Sequence, residues 1–523
     1  MEKILAVHNS HNSSICEIEN DKIIYFQESE RIDKKKKSTN WSATLLKYKN
    51  KNFNKIIFVN TSLHQCKDLQ AALFKTKLNE LNIKADEIVI EEGHHFFHAC
   101  SAYFNSGFEN SFVLISDGAG YTIDESTEII SLYYFNKNKF KKIFQLHSSA
   151  NKEGVDKKDI YINTLSLGYL FEMLVRKYSL KEPGSVMGLS SYLKSNIKED
   201  KYELTYFTKK LKHFQFIAPA AVSDFGSSKT NESFFVQKDL ETIILKYVKN
   251  IIKNKNRNLC VSGGVFQNTV LNSKLLDICS NVYVDPFAED SGLSMGAALW
   301  HLNKNKFIKK EIKNLFLGDS PNFHILNLQA GYNVTYQDVA KILSEKFIVA
   351  IYQGRNELGK RALGNRSILF DPRDRFAKEK LNLLKNREWF RPTAGTVLEE
   401  YASEWFNLKT KKQTPFMSYV FKVKKDNVPG ITHVDNTCRI QTVNQIQNFH
   451  YYNLIKEFYK ITKVPMLVNT SLNLAGKPLV NGIEDLIEIM TNYKLDTQID
   501  YAYFPELGKM YYKTNFHYYK TNF

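Results

Sequence analysis

Two parts of this chain share one order of predicted elements, in which an antiparallel run of strands comes first and helices follow later. Apolar alternation between polar turns predicts the strands of the first part at 3–8, 14–19 and 22–27. The same pattern predicts those of the second part at 111–116, 128–135 and 139–146. The repetition indicates one supersecondary unit used twice, which restricts the chain to a small set of α/β architectures.

Helices are predicted later in each part, at 94–105, 163–178 and 240–252, where apolar residues recur at helical spacing. This layout is similar to the duplicated α/β ATPase fold of actin, hexokinases and chaperone ATPases. A polar segment at 320–337 then precedes a new α/β pattern. The sequence therefore predicts a duplicated actin/hexokinase-like domain over residues 1–335, followed by a smaller α/β domain over residues 336–523.

Composition excludes several classes of protein. With 523 residues, 43% of them hydrophobic, the chain can bury large cores in two or more domains. The net charge of +17 comes from scattered Lys residues, and no nucleic-acid-binding motif is present, so nucleic acid is not the expected partner. The six cysteines form no CxxC pair, and no apolar run approaches membrane-spanning length. We therefore expect a reduced, cytoplasmic protein that has no membrane partner.

The segment His94-His95-Phe96-Phe97-His98 carries the pattern of a metal site. If it is helical, His94 and His98 share one face, whereas His95 points about 100° away. Asp117 and Asp290 stand in Gly-containing loops, SDGAG and EDSGLSMG. Two imidazoles and two carboxylates suit iron, manganese or zinc, so the pattern predicts one divalent metal. The alternative is that these histidines have ordinary surface or core roles.

Glycine-containing turns are candidates for nucleotide contacts. Gly263 and Gly264 follow a strand and precede a helix that contains Asn268, and Gly118 and Gly120 follow Asp117. Such turns let the backbone approach a phosphate, and the helix offers its amide groups. The alternative is a tight strand-to-helix turn without a ligand.

The segment from residue 354 to residue 367 is rich in Arg and Gly, which alternate with polar residues. It contains Arg361 and Arg366, and further basic residues follow at Lys385, Arg387, Arg391, His433 and Arg439. Guanidinium groups match phosphate and carboxylate geometry in a two-pronged fashion. Because these residues stand among Gly and apolar residues, the segment favours a phosphate site over a solvated basic surface.

Eight motifs together make a family resemblance, and they occur in the order HHFFHA, SDGAG, SGGVFQN, EDSGLSMGAA, GRNELGKRALGNRSIL, REWFRP, THVDNTCRIQTV and VNTSLN. The chain closely resembles the O-carbamoyltransferases that modify nodulation factors and antibiotics, over roughly residues 3 to 510. Its first domain also looks like the metal-bound ATPase subunit of the tRNA threonylcarbamoyl-adenosine machinery. The resemblance implies a YrdC-like fold for the second domain.

The resemblance also implies a mechanism. Carbamoyl phosphate and ATP, with Mg²⁺ accompanying the ATP, meet in the C-terminal domain and give a carbamoyl-adenylate. A hydroxyl of a small molecule or sugar then attacks this intermediate at the metal site of the N-terminal domain. Iron is the expected metal, with His94, His98, Asp117 and Asp290 as its ligands.

Further roles follow from the motif matches. His11 is the candidate general base, and Asn12 lies in the same N-terminal motif. Lys385 and Arg439 are assigned to the chemistry of the donor. The remaining binding residues are Gly118, Gly120, Gly263, Gly264, Asn268, Arg361, Arg366, Arg387, Arg391, His433, Asn469 and Ser471.

The chain departs from the family pattern at several positions. Ser185 stands where a Lys is usual, Lys360 replaces a Pro, and Asn356 replaces a Met. Thr393 and Gly395 differ from the usual RPFAP stretch. These changes bear on the nucleotide contacts near residue 185 and on the shape of the donor site. The alternatives are a threonylcarbamoyl-type tRNA modification and a catalytically silent subunit. The sequence leaves open whether the chain is a monomer or an oligomer.

Overall fold

The computed structural model describes residues 2–61, 66–118, 120, 122–123, 126–163, 165–193, 206–211, 214–219, 228–252, 257–326, 328–491 and 498–516. It divides into two compact units. The first contains residues 1–24 and 37–312, and the second contains 25–36 and 313–523. No helix in the described ranges is long and apolar enough to cross a membrane.

The first half of unit one contains one mixed sheet. Its strands and neighbouring helices are β1 (Lys3–His8), β2 (Ser14–Glu19), β3 (Lys22–Glu28), α1 (Ser29–Asp33), α2 (Trp41–Leu45), β4 (Asn52–Val59), α3 (Lys67–Glu80), β5 (Lys84–Glu91) and α4 (His94–Asn105). Of these, α1 and the end of β3 belong to unit two. The strand order is β3-β2-β1-β4-β5. β1 pairs antiparallel with β2 and parallel with β4, which in turn pairs parallel with β5.

The second half of unit one follows the same plan. Its elements are β6 (Asn110–Ser116), β7 (Thr122–Ile123), β8 (Ser126–Asn136), β9 (Lys139–Ser149), β10 (Gly154–Asp156), β11 (Asp159–Ile162), α5 (Leu167–Lys177), α6 (Pro183–Ser190), β12 (Tyr206–Leu211), β13 (Phe214–Pro219), α7 (Lys229–Ile251), β14 (Asn258–Ser262), α8 (Thr269–Ile278), β15 (Asn281–Val284) and α9 (Gly292–Asn303). The core of its sheet has the order β9-β8-β6-β14-β15.

The two sheets therefore match strand for strand. β6 pairs antiparallel with β8 and parallel with β14, as β1 does with β2 and β4. In each half a helix, α4 or α9, follows the last strand, and these two helices pack against each other. The predicted duplication of an actin/hexokinase-like unit is confirmed.

Unit two is built on a sheet whose described strands run in the order β16-β25-β24-β17-β18-β23-β19-β22-β21-β20. Its elements are β16 (Tyr332–Asn333), α10 (Tyr336–Ser344), β17 (Val349–Tyr352), β18 (Arg366–Phe370), α11 (Ala377–Leu384), β19 (Ala394–Leu398), α12 (Ala402–Trp405), β20 (Phe406–Asn407), β21 (Val420–Val423), β22 (Thr437–Val443), α13 (Phe449–Thr462), β23 (Met466–Ser471), α14 (Ile483–Met490), β24 (Tyr501–Phe504) and β25 (Lys509–Tyr512). This second α/β unit confirms the predicted fold class.

The division between the units differs from the boundary placed near residue 335. Residues 313–335 pack on unit two, where the backbone amide of Leu358 donates to the Leu315 carbonyl at 3.1 Å and β16 pairs with β25. The polar segment at 320–337 suggested a boundary near residue 335, but backbone groups on both sides of residue 320 bond to the second unit.

Close packing of α4 against α9 depends on Gly296. A Cβ atom at this position would lie 1.9 Å from the carbonyl oxygen of Phe97, beside His98. We expect Gly296→Ala to lower the free energy of unfolding by about 3 kcal/mol, because a backbone atom cannot move aside cheaply. Urea unfolding measures this. Gly118→Ala is the control, since a Cβ there would meet its nearest neighbour at 3.9 Å, and equal losses in both variants would contradict the packing argument.

Candidate functional site

Helix α4 places two histidines side by side. It begins after Gly93, which has a φ of +132°, and carries His94 and His98 one turn apart. Both side chains are buried, and their Nε2 atoms are 3.2 Å apart. When both ring nitrogens are unprotonated, atoms at this distance can bind one metal ion.

Two carboxylates from the second half of the duplicated fold complete the cluster. Asp117 follows β6, and Asp290 precedes α9. Asp117 Oδ2 lies 3.5 Å from His94 Nε2 and 3.4 Å from His98 Nε2. Asp290 Oδ1 lies 3.3 Å and 3.5 Å from the same two atoms. One ligand atom from each of the four side chains lies within 4.8 Å of all the others.

This geometry fits a single divalent ion. Ligands about 2.0–2.2 Å from one ion lie roughly 3–4 Å apart, which matches the distances between these side chains. Burial alone would raise the pKa of Asp117, but hydrogen bonds with His94 and His98 hold that pKa below its usual range. Among the described residues, Asp117 Oδ2 has no hydrogen-bond partner other than these two histidines. The donor set of two imidazoles and two ionised carboxylates suits iron, manganese or zinc.

A second layer of side chains lies behind His98. Its Nδ1 is 3.5 Å from the hydroxyl of Ser262, which donates to Asp285 Oδ2 at 3.0 Å. Such an outer partner orients a ligating imidazole. Sequence reasoning treated Ser262 as part of a nucleotide turn and did not identify Asp285. Its position directly after β15, next to β14, was the available signal.

The N-terminal motif reaches this cluster. His11 Nε2 lies 3.1 Å from Asp290 Oδ2, and its side chain is 52% exposed. Asn12, whose φ is +57°, donates from Nδ2 to Glu289 Oε2 at 3.3 Å. The structure thus brings His11 to the candidate metal ligands on a side that solvent reaches.

His8 is a further residue of this region that sequence reasoning missed. It is fully buried at the end of β1, and its Nε2 lies 2.9 Å from the Thr61 hydroxyl. Burial lowers the pKa of His8 to about 3, against the opposing effect of Asp290. A neutral imidazole at this place adds no positive charge to the cluster. The signal was its position at the carboxyl end of a strand with a parallel neighbour, where sites commonly form.

Close packing explains why glycine occupies most of its positions in the candidate nucleotide-binding turns. Gly263 has a φ of +94°, and a Cβ there would lie 2.3 Å from the Ser116 carbonyl oxygen. A Cβ at Gly264 would lie 3.0 Å from Asp117 Oδ1, and one at Gly120 would lie 2.9 Å from His95 Nε2. Gly118, by contrast, has room for a side chain. Nucleotide binding by these turns stays a prediction.

Asn268 has two structural contacts. Its Oδ1 accepts the Leu271 amide at 3.0 Å and caps α8, and its Nδ2 donates to Gln237 Oε1 at 2.7 Å. Ser185, at the position where the family has a Lys, is buried within α6. A nucleotide contact at Asn268 would have to use or replace one of these bonds.

Unit two contains a cluster of four arginines. Arg439 lies on β22, and burial together with the charges of Arg361, Arg387 and Arg391 lowers its pKa well below the usual value. Its buried Nε has no hydrogen-bond partner among the described residues. Like charges gathered around a buried guanidinium are stable only if an anion offsets them. We call Arg361, Arg387, Arg391 and Arg439 the arginine cluster.

His433 adjoins the arginine cluster, and Arg387 within the cluster has a side-chain partner on β23. His433 Nε2 lies 3.0 Å from the Thr393 carbonyl oxygen, and burial lowers the pKa of His433. Arg387 Nη1 donates to the Thr470 hydroxyl at 3.5 Å. The main-chain carbonyl of residue 393 therefore orients a histidine next to Arg439, independently of the Thr side chain that departs from the family pattern.

Lys385, Ser471 and Asn469 are held in polar networks. Lys385 Nζ donates to the Asn473 carbonyl at 2.6 Å and lies 3.2 Å from the Ser471 hydroxyl. Asn469 Nδ2 donates to the Ala362 carbonyl at 3.1 Å and to the Thr396 hydroxyl at 3.0 Å. These bonds connect the Lys385 ammonium to the end of β23 and to the residues that follow it. Catalysis by Lys385 would require these bonds to be exchanged.

Arg366 has a different environment from the arginine cluster. Its terminal nitrogens donate to main-chain oxygens, including those of Asn365 at 2.9 Å and Gly354 at 3.1 Å. Its guanidinium also lies 3.7 Å above the Tyr352 ring. These contacts make Arg366 a support for the turn that precedes β18.

Two family models match most of the chain. The model described as "Carbamoyltransferase N-terminus" matches residues 11–299, and the one described as "Carbamoyltransferase C-terminus" matches residues 340–503. The first match contains all four side chains of the candidate metal site, and the second contains the arginine cluster.

Similar proteins come from bacteria and archaea. The nodulation protein NolO of Bradyrhizobium diazoefficiens is 32% identical over 443 residues, which cover 77% of this chain and 76% of that protein. The uncharacterized protein MJ1051 of Methanocaldococcus jannaschii is 28% identical and covers 92% of this chain and 96% of its own length. Among solved structures, full-length HypF in its phosphate- and nucleotide-bound form has a TM-score of 0.39 at 17% identity, covering 57% of this chain and 46% of that one.

Proposed function

This chain belongs to the carbamoyltransferase family and is a transferase, and from that premise we propose that it carries out an ATP-dependent O-carbamoyl transfer. Carbamoyl phosphate is the donor, and a hydroxyl group of a small molecule or sugar is the acceptor. The reaction has two steps, of which the first belongs to unit two and the second to unit one.

The arginine cluster is the observation that carries the proposal. A guanidinium whose buried Nε has no hydrogen-bond partner in the described part of the chain, beside three further arginines, calls for an anion with several charges. Carbamoyl phosphate and the triphosphate of ATP supply such charges. Arg361, Arg387, Arg391 and Arg439 hold them, and His433 lies beside Arg439.

The first step activates the carbamoyl group. Water cleaves carbamoyl phosphate to carbamate and phosphate, and a carbamate oxygen attacks the α-phosphorus of ATP, which releases pyrophosphate and leaves carbamoyl-adenylate. Nitrogen donation makes a carbamoyl carbonyl a poor electrophile, and adenylate is the better leaving group. The arginines offset the charge that gathers when two phosphorylated substrates meet.

The second step transfers the group. His94, His98, Asp117 and Asp290 would hold a divalent metal, expected to be iron, and such an ion polarises a carbonyl oxygen when bound. The Nε2 of His11 faces Asp290, which favours the tautomer whose Nδ1 is basic. His11 Nδ1 takes the proton from the acceptor hydroxyl while its oxygen attacks the carbonyl carbon, and AMP leaves.

The proposal is tested by incubating the protein with ATP, carbamoyl phosphate and a panel of nucleotide sugars and natural-product alcohols. We expect pyrophosphate to form only when carbamoyl phosphate is present, and AMP and a carbamoylated product to appear with an accepted alcohol. A reaction without carbamoyl phosphate is the control. ATP turnover that is independent of carbamoyl phosphate, or turnover that releases ADP, would contradict the scheme.

A further inference from the structure

A short segment from the beginning of the chain belongs to unit two. Residues 25–36 comprise the end of β3 and the helix α1, and they cluster with residues 313–523 rather than with the strands that precede them. The Phe26 amide donates to the Leu317 carbonyl at 3.1 Å, and the Tyr25 hydroxyl donates to Asp319 Oδ1 at 2.9 Å. The segment is therefore a structural part of the unit that contains the arginine cluster.

The centre of this segment is a buried ion pair. Arg31 Nε donates to Glu28 Oε2 at 2.9 Å, and the two side chains are only 3% and 4% exposed. Burying two opposite charges adds little net stability, because the loss of hydration offsets most of their attraction. Such a pair is better explained by the geometry that it fixes.

The Glu28–Arg31 ion pair holds the backbone of Gly359 in place. The Gly359 amide donates to Glu28 Oε1 at 3.3 Å, and its carbonyl accepts from Arg31 Nη2 at 3.3 Å. Gly359 has a φ of +83°, so the chain turns sharply where it is held. Glu357 Oε1 accepts the amides of Leu363 at 3.0 Å and Arg366 at 2.9 Å, which fastens the other end of the turn.

The turn between these two anchors carries Arg361, whose charge acts on Arg439. Like charges repel, so a free turn would move Arg361 away from the other arginines. We propose that Glu28 and Arg31 are positioning residues, which hold the turn at Gly359 so that Arg361 stays in the arginine cluster. This inference rests on the proposed donor step, and it makes residues near the start of the chain necessary for chemistry in unit two.

A double-mutant cycle in the full-length protein tests the inference. The variants are Glu28→Gln, Arg361→Ala and their combination, and the measurement is the KM for carbamoyl phosphate in pyrophosphate formation from ATP. We expect Glu28→Gln to raise this KM about tenfold in the parent protein and less than about twofold when Arg361 is already absent, since both changes disturb one contact with the donor. Equal effects in both backgrounds, or no effect of Glu28→Gln, would overturn the inference.

A second pair of variants guards against misfolding. Arg31→Lys keeps the charge but not the fork that reaches Glu28 and Gly359, and it is expected to show the same dependence on Arg361. Arg373→Lys is the matched control, because Arg373 pairs with Asp371 outside this turn and should leave the KM unchanged. If the wild-type protein forms no pyrophosphate, the proposed donor step is overturned as well. If the wild-type protein is active but the effects of Glu28→Gln and Arg361→Ala are independent of each other, this inference alone is overturned.

Discussion

Replacement of Arg439 by methionine is expected to lower carbamoyl-phosphate-dependent pyrophosphate formation by about 100-fold while the free energy of unfolding is retained or rises. A charge-assisted hydrogen bond to a phosphate contributes about 1.5–3 kcal/mol, which corresponds to a rate or affinity factor of roughly 10 to 100. The Nε of Arg439 is buried, and three further arginines surround this guanidinium, so we place its effect at the upper end of this range.

The expected stability of this variant follows from the same environment. Burial and three like charges lower the pKa of Arg439, which means that the folded state opposes its positive charge. Removal of that charge relieves the repulsion, and methionine replaces part of the volume. A residue that disfavours the fold and yet promotes activity is typical of a functional site.

Initial rates of pyrophosphate release and urea unfolding of the same preparation measure the two effects. Arg375→Met serves as the control, because Arg375 is exposed in the same unit and stacks on Phe376. If Arg439→Met unfolds at lower urea and keeps wild-type pyrophosphate release, Arg439 is a structural residue and the donor assignment is wrong.

The double variant His94→Ala, His98→Ala is expected to lose the metal and to lose carbamoyl transfer to the acceptor by at least about 100-fold. It removes two of the four donor atoms, and loss of outer partners alone reduces metal affinity by about 10- to 100-fold. The part-buried Asp117 and the buried Asp290 would be left close together without their histidine partners, which is unfavourable. We therefore also expect a rise in the pKa of one of these carboxyl groups.

Elemental analysis of the purified variant and product formation from the full substrate mixture measure these losses. The control is His95→Gln, because His95 lies on the same helix but its Nδ1 contacts Ser131 at 2.7 Å rather than the cluster. A stoichiometric metal that survives in the double variant would show that other residues bind it.

The duplicated fold could be predicted because its signals are local. Strands β1 and β2 and helix α4 have the predicted ends, since polar turns and the histidine spacing mark them in the sequence. Helix α7 starts at Lys229, before the predicted start at residue 240. Its first turns contain polar residues such as Asn231 and Glu232, and only packing against α6 shows that they are helical.

The candidate metal site could also be predicted, because the i, i+4 histidine pair and two loop aspartates are visible in the sequence. The sequence could not show that Asp285 supports His98 through Ser262, since that link joins the ends of two neighbouring strands. The sequence also could not show that Arg366 has a different role from the arginines of the cluster. All of them lie in similar Arg-rich stretches, and only the carbonyl oxygens around Arg366 identify it as a support.

No feature of the sequence predicted that residues 25–36 belong to unit two. The third predicted strand continues the β-meander without a break, and its polar end is read as a surface loop. Burial of Glu28 and Arg31 against Gly359 depends on a contact across more than 300 positions of the chain. Such contacts are set by tertiary packing and leave no local periodicity.

The central claim is that the two clusters serve separate half-reactions, and pyrophosphate release by the His94→Ala, His98→Ala variant without an acceptor tests it most directly. The arginine cluster lies in unit two and is intact in this variant, so the account predicts carbamoyl-phosphate-dependent pyrophosphate release within about threefold of the wild-type rate, a difference of less than about 1 kcal/mol. If pyrophosphate release falls as far as acceptor carbamoylation in a variant that remains folded and binds nucleotide, a single composite site performs both steps and the account is wrong.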